Sequence, residues 1–358
     1  MNLQTEGIKY AGSKRKLLPC IMEMIEGLGG VDLVFDGFSG STRVSQALAQ
    51  NNYSVVSNDV SAWSEVFASC YLKSSKPNEY FQEILDHLNA LNGYDGWFSK
   101  HYGGGEDDIK KPFQRKNMRK LDAVRDEIEH LNLPWNEKCV LLASLMLALD
   151  KVDSTLGHYA AYLSKWSKRS FSDLKLTLPK RFPLEKEHFV SCADVFDAVK
   201  GKTFDLSYFD PPYGSNNEKM PPSRVRYASY YHFWTTVVKH DKPEIFGKAN
   251  RREDTHDEVA ASIFEDYKKS EDGRFFALEA LQKLIKETNT RYLMLSYSSG
   301  GRATKEQLTD IISECGTLKE LKKIDYRKNV MSNMRSTNKW LKDDEEDKHF
   351  EYLFLMEK

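Results

Sequence analysis

No run of about 18 apolar residues occurs in this sequence, so a membrane-spanning helix is not expected. Cysteine is sparse. Cys20, Cys70, Cys139, Cys192 and Cys315 are scattered, odd in number and never spaced as a CxxC clip. Neither a disulfide framework nor a structural zinc site is expected, and the expected compartment is the reducing cytoplasm. The nine histidines include no HxxxH pair, so the expected metal content is none. The segment Met1 to Glu6 has no basic or apolar leader character, and no secretory signal is expected. Excess charge is also missing. Lys and Arg number 52 against 53 Asp and Glu, giving a formal net charge of -1. A wholesale basic protein is excluded, and any nucleic-acid surface must be a local patch.

What is present fits a globular protein. Forty per cent of the 358 residues are apolar and 29% are charged, enough to bury a sizeable core without promoting disorder. The length predicts about two domains, or one large domain carrying an insertion. Leu17, Leu18, Ile21, Met22, Ile25 and Leu28 have helical spacing. Val31 to Phe35 reads as a buried strand ending at Asp36. A Gly/Ser turn, a helix bearing Val44, Ala47 and Leu48, and a strand from Tyr53 to Ser57 follow. Strand, turn, helix and strand make a βαβ unit, for which a parallel sheet is the default. Residues 62–185 read as mostly helical, with Cys139 to Leu149 the most apolar helix. Strand character returns at Phe189 to Ser191, Phe204 to Phe209, Arg291 to Ser296 and Glu351 to Met356. The expected layout is a catalytic domain of 1–61 and 186–358, a helical insertion at 62–185, and a polar, mobile insertion at 214–275.

Four segments carry chemistry. Asp36-Gly37-Phe38-Ser39-Gly40-Ser41-Thr42 lies at the carboxyl end of the first strand and opens a helix. Ligands bind there in doubly wound sheets, and small residues let them approach the backbone. A tight strand–helix turn reads the same way, and the pattern is not GxGxxG. Asp59 ends the next strand, where a carboxylate accepts hydrogen bonds from both ribose hydroxyls; alone it reads equally as a helix cap. Two strand-end aspartates flanking a glycine turn point to a nucleoside-containing cofactor. Asp210-Pro211-Pro212-Tyr213 follows an apolar strand that the prolines must end. Asp210 and the Pro211 carbonyl are two acceptors beside the Tyr213 ring, a set that matches an exocyclic amino group. Holding both amino protons makes that nitrogen a nucleophile for an electrophilic methyl. Finally, Lys9-Tyr10-Ala11-Gly12-Ser13-Lys14-Arg15-Lys16 is a basic segment with the wrong order and context for a phosphate loop. It suits a carboxylate or a DNA phosphate.

In this order the motifs resemble the Dam-like, alpha-group adenine-specific DNA methyltransferases. Gly157 to Leu163, Tyr230-Tyr231-His232, Leu295 to Ser298 and Glu351 to Phe354 resemble further family segments. The resemblance is weakest at about 75–135 and 214–275. It implies an α/β, Rossmann-like S-adenosylmethionine-dependent sheet with an inserted helical target-recognition domain. It implies S-adenosylmethionine as cofactor, with Tyr10 and Lys14 near its methionine end and Asp36, Phe38 and Gly40 lining its pocket. Asp59 would hold the ribose, Asp194 the adenine amino group, and Phe196 would pack near that ring. Asp210, Pro211, Pro212 and Tyr213 would hold a flipped adenine. Thr42 departs from the family, which usually has glycine there; its side chain would crowd the cofactor or cap the helix.

The expected substrate is double-stranded DNA, held by the basic residues Lys111, Arg115, Lys116, Arg119, Lys165, Arg169, Arg251 and Arg252. A solvated helix face is the competing reading for each. A cognate restriction endonuclease is the expected partner, and the expected state is a monomer or weak dimer. The alternatives are cytosine exocyclic-amino methylation, an RNA methyltransferase, and a non-catalytic DNA-binding relative.

Overall fold

The computed structural model describes residues 3–105, 110–214, 227–256, 259–271, 273–325 and 350–358. In chain order its main elements are α1 (Leu18–Glu26), β1 (Leu33–Asp36), α2 (Arg43–Gln50), β2 (Ser54–Asn58), α3 (Ala62–Leu72), α4 (Asn78–Ala90), α5 (Trp97–Tyr102), α6 (Arg115–His130), α7 (Trp135–Val152), β3 (Phe189–Ser191), α8 (Val195–Val199), β4 (Thr203–Phe209), α9 (Tyr227–Tyr230), α10 (His232–Lys239), α11 (Phe276–Glu287), β5 (Asn289–Ser298), α12 (Lys305–Cys315), β6 (Thr317–Asp325) and β7 (Phe350–Glu357). The seven strands form one sheet in the order β6-β7-β5-β4-β1-β2-β3. Strands β1 to β3 are parallel, as are β4 and β5, while β7 runs antiparallel to both β5 and β6.

This is the α/β class that the sequence predicts. β1 and the middle of β5, Tyr292 to Leu295, are continuous apolar runs because strands covered on both faces need no polar side, and β4 is buried from Leu206 to Phe209. β6 has no counterpart in the sequence reading. Its sequence, Thr-Leu-Lys-Glu-Leu-Lys-Lys-Ile-Asp, is charged because it is an edge strand, and charge on an edge blocks pairing with another chain.

The chain divides into two compact units, one of Met1–Val195 with Tyr227–Ala260, the other of Phe196–Arg226 with Ala261–Lys358. The first contains a continuous apolar core. Trp63 and Phe67 of α3, Leu121 and Val124 of α6, and Leu141 and Leu145 of α7 meet Phe233, Trp234 and Val237 of α10 in it. That placement corrects the expectation for 214–275. Residues 227–239, read as part of a polar, mobile insertion, form two helices: the aromatic and branched side chains of α10 are core, and Tyr227 and Tyr230 of α9 pack against it. The charged sequence on either side conceals a short apolar helix in any long window. Residues 215–226, 257–258 and 272 of that expected insertion lie outside the described residues.

Two buried ionic groups tie this unit together. The Asp122 carboxylate on α6 accepts the backbone N–H groups of Gly96 (3.1 Å), Phe98 (2.8 Å) and Ser99 (2.9 Å). It thereby caps α5 from another helix, satisfying donors that a helix start always leaves open. A Cβ on Gly96 would lie 2.6 Å from the Asp122 Cγ, so glycine is required there. Arg125, one turn later and fully buried, donates to the carbonyls of Val237 (2.7 Å) and Val238 (3.1 Å) near the end of α10. A cation at a helix C-terminus complements the partial negative charge there. Its charge is balanced by Glu129 at 2.7 Å.

His232 opens α10 with its ring wholly buried, its Nε2 3.2 Å from the Tyr159 carbonyl. Desolvation lowers its pKa from 6.5 to about 3. The unfolded chain therefore binds this proton first, and stability falls with pH between about 6.5 and 3, by about 1.4 kcal/mol per unit for this one group. Urea unfolding at pH 7 and pH 5 should show a smaller acid loss for His232→Gln than for the unsubstituted chain. Equal losses would mean that His232 does not set the slope.

Candidate active site

β1 delivers Asp36 to the start of the glycine turn. Asp36 is only 1% exposed, and its Oδ2 accepts the Ser45 hydroxyl of α2 at 2.6 Å. Ser45 Oγ also lies 2.9 Å from Ser57 Oγ on β2. Asp36, expected to line a ligand pocket, is tied to α2 by its bond to Ser45. A carboxylate at the end of a buried strand needs a local donor, and Ser45 supplies it.

The turn is fixed from β2. Ser39 N donates to the Asn58 carbonyl at 2.9 Å, and Gly40 N donates to Asp59 Oδ2 at 2.8 Å. Asp59 Oδ1 accepts Ser61 N at 2.8 Å, so Asp59 also braces the start of α3. The capping role and a ligand role are compatible, because each carboxylate oxygen carries a second lone pair. Burial pushes the Asp59 carboxyl above its usual range, against the backbone N–H groups that hold it down.

Gly40 has φ +48° and faces Tyr10, whose ring atoms would lie 3.1–3.4 Å from any Cβ. Tyr10, Gly40 and Asp59 thus meet at one cradle. The Tyr10 ring is held by Tyr231 (centroids 4.8 Å) and Trp63 (5.5 Å). Lys14 lies buried in a short 3-10 turn, Phe38 is half-buried in the glycine turn, and Asp194 is exposed after β3. Thr42 adopts φ +58° and is fully buried. The left-handed backbone accounts for glycine being usual at such a place, and it costs a branched residue about 1–2 kcal/mol. The Thr42 side chain makes no helix cap; its Oγ1 accepts Gln46 Nε2 at 2.9 Å.

Asn58, not singled out in the sequence, joins the carboxyl ends of β2 and β3. Its Oδ1 accepts the Ser191 hydroxyl at 2.7 Å, and its Nδ2 donates to the Ala193 carbonyl at 3.1 Å. Its place beside Asp59 was the available signal.

The second unit carries the Asp-Pro-Pro-Tyr loop at the end of β4. Asp210 is half-buried and Pro211 buried. The loop is locked by the turn after β5. Arg302 N donates to the Tyr213 carbonyl at 2.9 Å, and the Tyr213 ring lies 5.2 Å from that of Tyr297. Gly301 permits this approach, since a Cβ there would lie 2.5 Å from the Tyr297 ring and 3.0 Å from Tyr213 Cβ. Arg302 Nε donates to the Glu265 carbonyl at 2.9 Å. Burial pushes the Tyr297 hydroxyl up to about 12, so it stays protonated. Gly301 and Arg302 were missed, although a Ser-Ser-Gly-Gly turn at a strand's carboxyl end obeys the rule that singled out Gly40. In the same unit Phe196 stacks on Phe264, with centroids 6.0 Å apart and planes 9° from parallel.

Residues 10–294 match the family of D12 class N6 adenine-specific DNA methyltransferases. The chain belongs to this family.

The match agrees with the Dam-like resemblance read from the motif order. Among similar proteins, modification methylase StsI of Streptococcus sanguinis is 29% identical over 93% of this chain and 50% of its own length. Type II methyltransferase M.NlaIII of Neisseria lactamica is 27% identical over 98% of this chain and 99% of its own length. Type II methyltransferase M.FokI of Planomicrobium okeanokoites is 27% identical over 98% of this chain and 53% of its length. The chain thus spans about half of StsI and M.FokI and nearly all of M.NlaIII. No described helix is long and apolar enough to cross a membrane.

The basic residues of this methyltransferase family member divide into two sets. Arg252 is 3% exposed and its guanidinium is held by Asp241 (2.7 Å) and Asp254 (2.8 Å). It is an internal clamp and not a surface cation, because a buried guanidinium requires carboxylate partners. Arg169 is likewise committed, to the buried Asp153 at 2.7 Å and to the Thr155 carbonyl at 3.1 Å. Arg251 donates to the Thr255 carbonyl and lies 4.9 Å from the Phe246 ring centroid. Lys116 pairs with Asp173, while Lys165 is exposed. Lys111 and Arg115 line one cleft, and Arg119 lies 3.6 Å from its Asp95.

Proposed function

We propose that this chain methylates the exocyclic N6 amino group of an adenine flipped out of double-stranded DNA at a specific sequence. The observation that carries the reading is the Asp210–Tyr213 loop. By residue type it supplies two acceptors, the Asp210 carboxylate and the Pro211 carbonyl, next to Tyr213, whose backbone is held by Arg302 beside Gly301, in a chain of an adenine-specific family. The amino group cannot reach such a loop from within the base stack, so the base must leave it. Tyr213 offers a face worth about 1–3 kcal/mol of stacking, which offsets part of the cost of flipping. Asp210 and the Pro211 carbonyl accept the two amino protons and direct the nitrogen lone pair outward. Asp210 need not be a strong base, because the amino proton becomes acidic only as the new bond forms.

The cradle of Tyr10, Gly40 and Asp59 would hold S-adenosylmethionine: Gly40 lets the Tyr10 ring close on the turn, and Asp59 retains acceptor capacity for a ribose. That cofactor supplies an electrophilic methyl on a sulfonium. Tyr10 and Lys14 would hold its methionine end, Phe38 and Gly40 its flank, Asp59 its ribose, and Asp194 with Phe196 its adenine. The printed names of the relatives, modification methylase and type II methyltransferase, support a place in restriction–modification beside a cognate endonuclease.

The test is transfer from tritiated S-adenosylmethionine to unmethylated genomic DNA, with nucleoside analysis of the product. The expected product is N6-methyladenine. Label in methylcytosine would move the base assignment, and DNA binding without label would leave a non-catalytic binding protein.

A further inference from the structure

Two buried side chains of α2, Arg43 and Gln46, grip residues 5–7 of the chain. Gln46 Oε1 accepts the backbone N–H of Glu6 at 3.0 Å, and Gln46 Nε2 donates to the Glu6 carbonyl at 2.9 Å. Arg43 donates to the carbonyls of Thr5 and Gly7. The gripped segment runs against the glycine turn, since a Cβ on Gly7 would lie 3.0 Å from the Ser41 Cβ. Three residues further on, it delivers Tyr10 to Gly40.

Pairing with Glu6 decides which way the Gln46 amide faces. A backbone N–H must meet its oxygen and a carbonyl its nitrogen. The second amide proton goes to Thr42, whose Oγ1 accepts it at 2.9 Å. Gln46 N also donates to the Thr42 carbonyl at 2.8 Å, so the two residues are joined through both side chain and backbone. Thr42 is where such a hold is required. Its φ of +58° is unfavourable for a residue branched at Cβ, and it persists only where the surroundings over-determine it. A change at Thr42 would not stay local, because Thr42 N donates to the Ser39 carbonyl at 2.6 Å and closes the turn around Gly40.

We infer that Gln46 is a positioning residue for the cofactor. It holds Thr42 in the left-handed conformation and, through Glu6, ties the segment bearing Tyr10 to the same point. The inference rests on the proposed reading of the Tyr10, Gly40 and Asp59 cradle as the S-adenosylmethionine site, and it names what keeps that cradle in shape.

The experiment is calorimetric titration of the full chain with S-adenosylmethionine, with urea midpoints measured alongside to separate stability from affinity. Gln46→Met removes both amide groups and should weaken binding by about tenfold, the size that strain at one left-handed branched residue allows. In a Thr42→Gly background the same Gln46→Met change should cost less than about threefold, because glycine keeps a positive φ unaided. A merely structural role for Gln46 would lower the urea midpoint without this dependence on residue 42. Thr42→Val keeps the branch and loses Oγ1, so it should also weaken binding by about tenfold; it decides the matter if Gln46→Met does not fold. Equal losses from Gln46→Met in both backgrounds, or unchanged affinity in Thr42→Val, would overturn the inference while leaving the cofactor reading intact. An unsubstituted chain that binds no S-adenosylmethionine would overturn both.

Discussion

Asp210→Ala is expected to lower methyl transfer by at least about 10³-fold while the chain still binds DNA. Two effects combine in that figure. On the proposed mechanism the carboxylate accepts one of two amino protons as the nitrogen becomes a nucleophile, and preorganised acceptors of this kind are typically worth about 10²–10³-fold. On the same proposal it would also receive the proton released as the bond forms, a general-base contribution of about 10²–10⁴-fold. Because both act as charge develops, kcat and kcat/KM should fall together, with the KM for DNA little changed. Asp210→Asn keeps one acceptor oxygen and should lose less. The Tyr213 end of the loop should survive, since Arg302 N holds its carbonyl. Single-turnover transfer to a duplex containing the site is the measurement. A rate within tenfold of the unsubstituted chain would remove Asp210 from the chemistry.

Asp122→Ala should be strongly destabilising, by about 3–5 kcal/mol. The substitution removes one buried carboxylate and strands the N–H groups of Phe98 and Ser99; Gly96 N keeps the Ser99 hydroxyl at 2.8 Å. Each stranded buried donor costs about 1–3 kcal/mol, and the charged acceptor strengthened every bond it made. The loss should appear as a lower urea midpoint with an unchanged slope. Asp122→Asn retains an acceptor oxygen and should lose about half as much. A midpoint unchanged by Asp122→Ala would mean that α5 finds another cap.

The sequence by itself determined the α/β class, most of the sheet strands, the glycine turn and the Asp-Pro-Pro-Tyr loop. These are local matters: a buried strand must be apolar, a chain must turn at glycine, and two prolines must end a ladder. It also determined the family, because chemistry demands the same few residues in the same order. Tertiary structure decided the rest. Asp36 and Asp59 look alike as strand-end aspartates, yet one is buried against Ser45 and the other reaches the turn. Arg115 and Arg252 look alike as basic residues, yet one lines a cleft and the other is clamped between carboxylates. Asp122 looks like any helical aspartate until its backbone donors, more than 20 residues away, are seen. Only the fold brings such partners together, so burial and pairing, the properties that separate these residues, have no local trace in the chain.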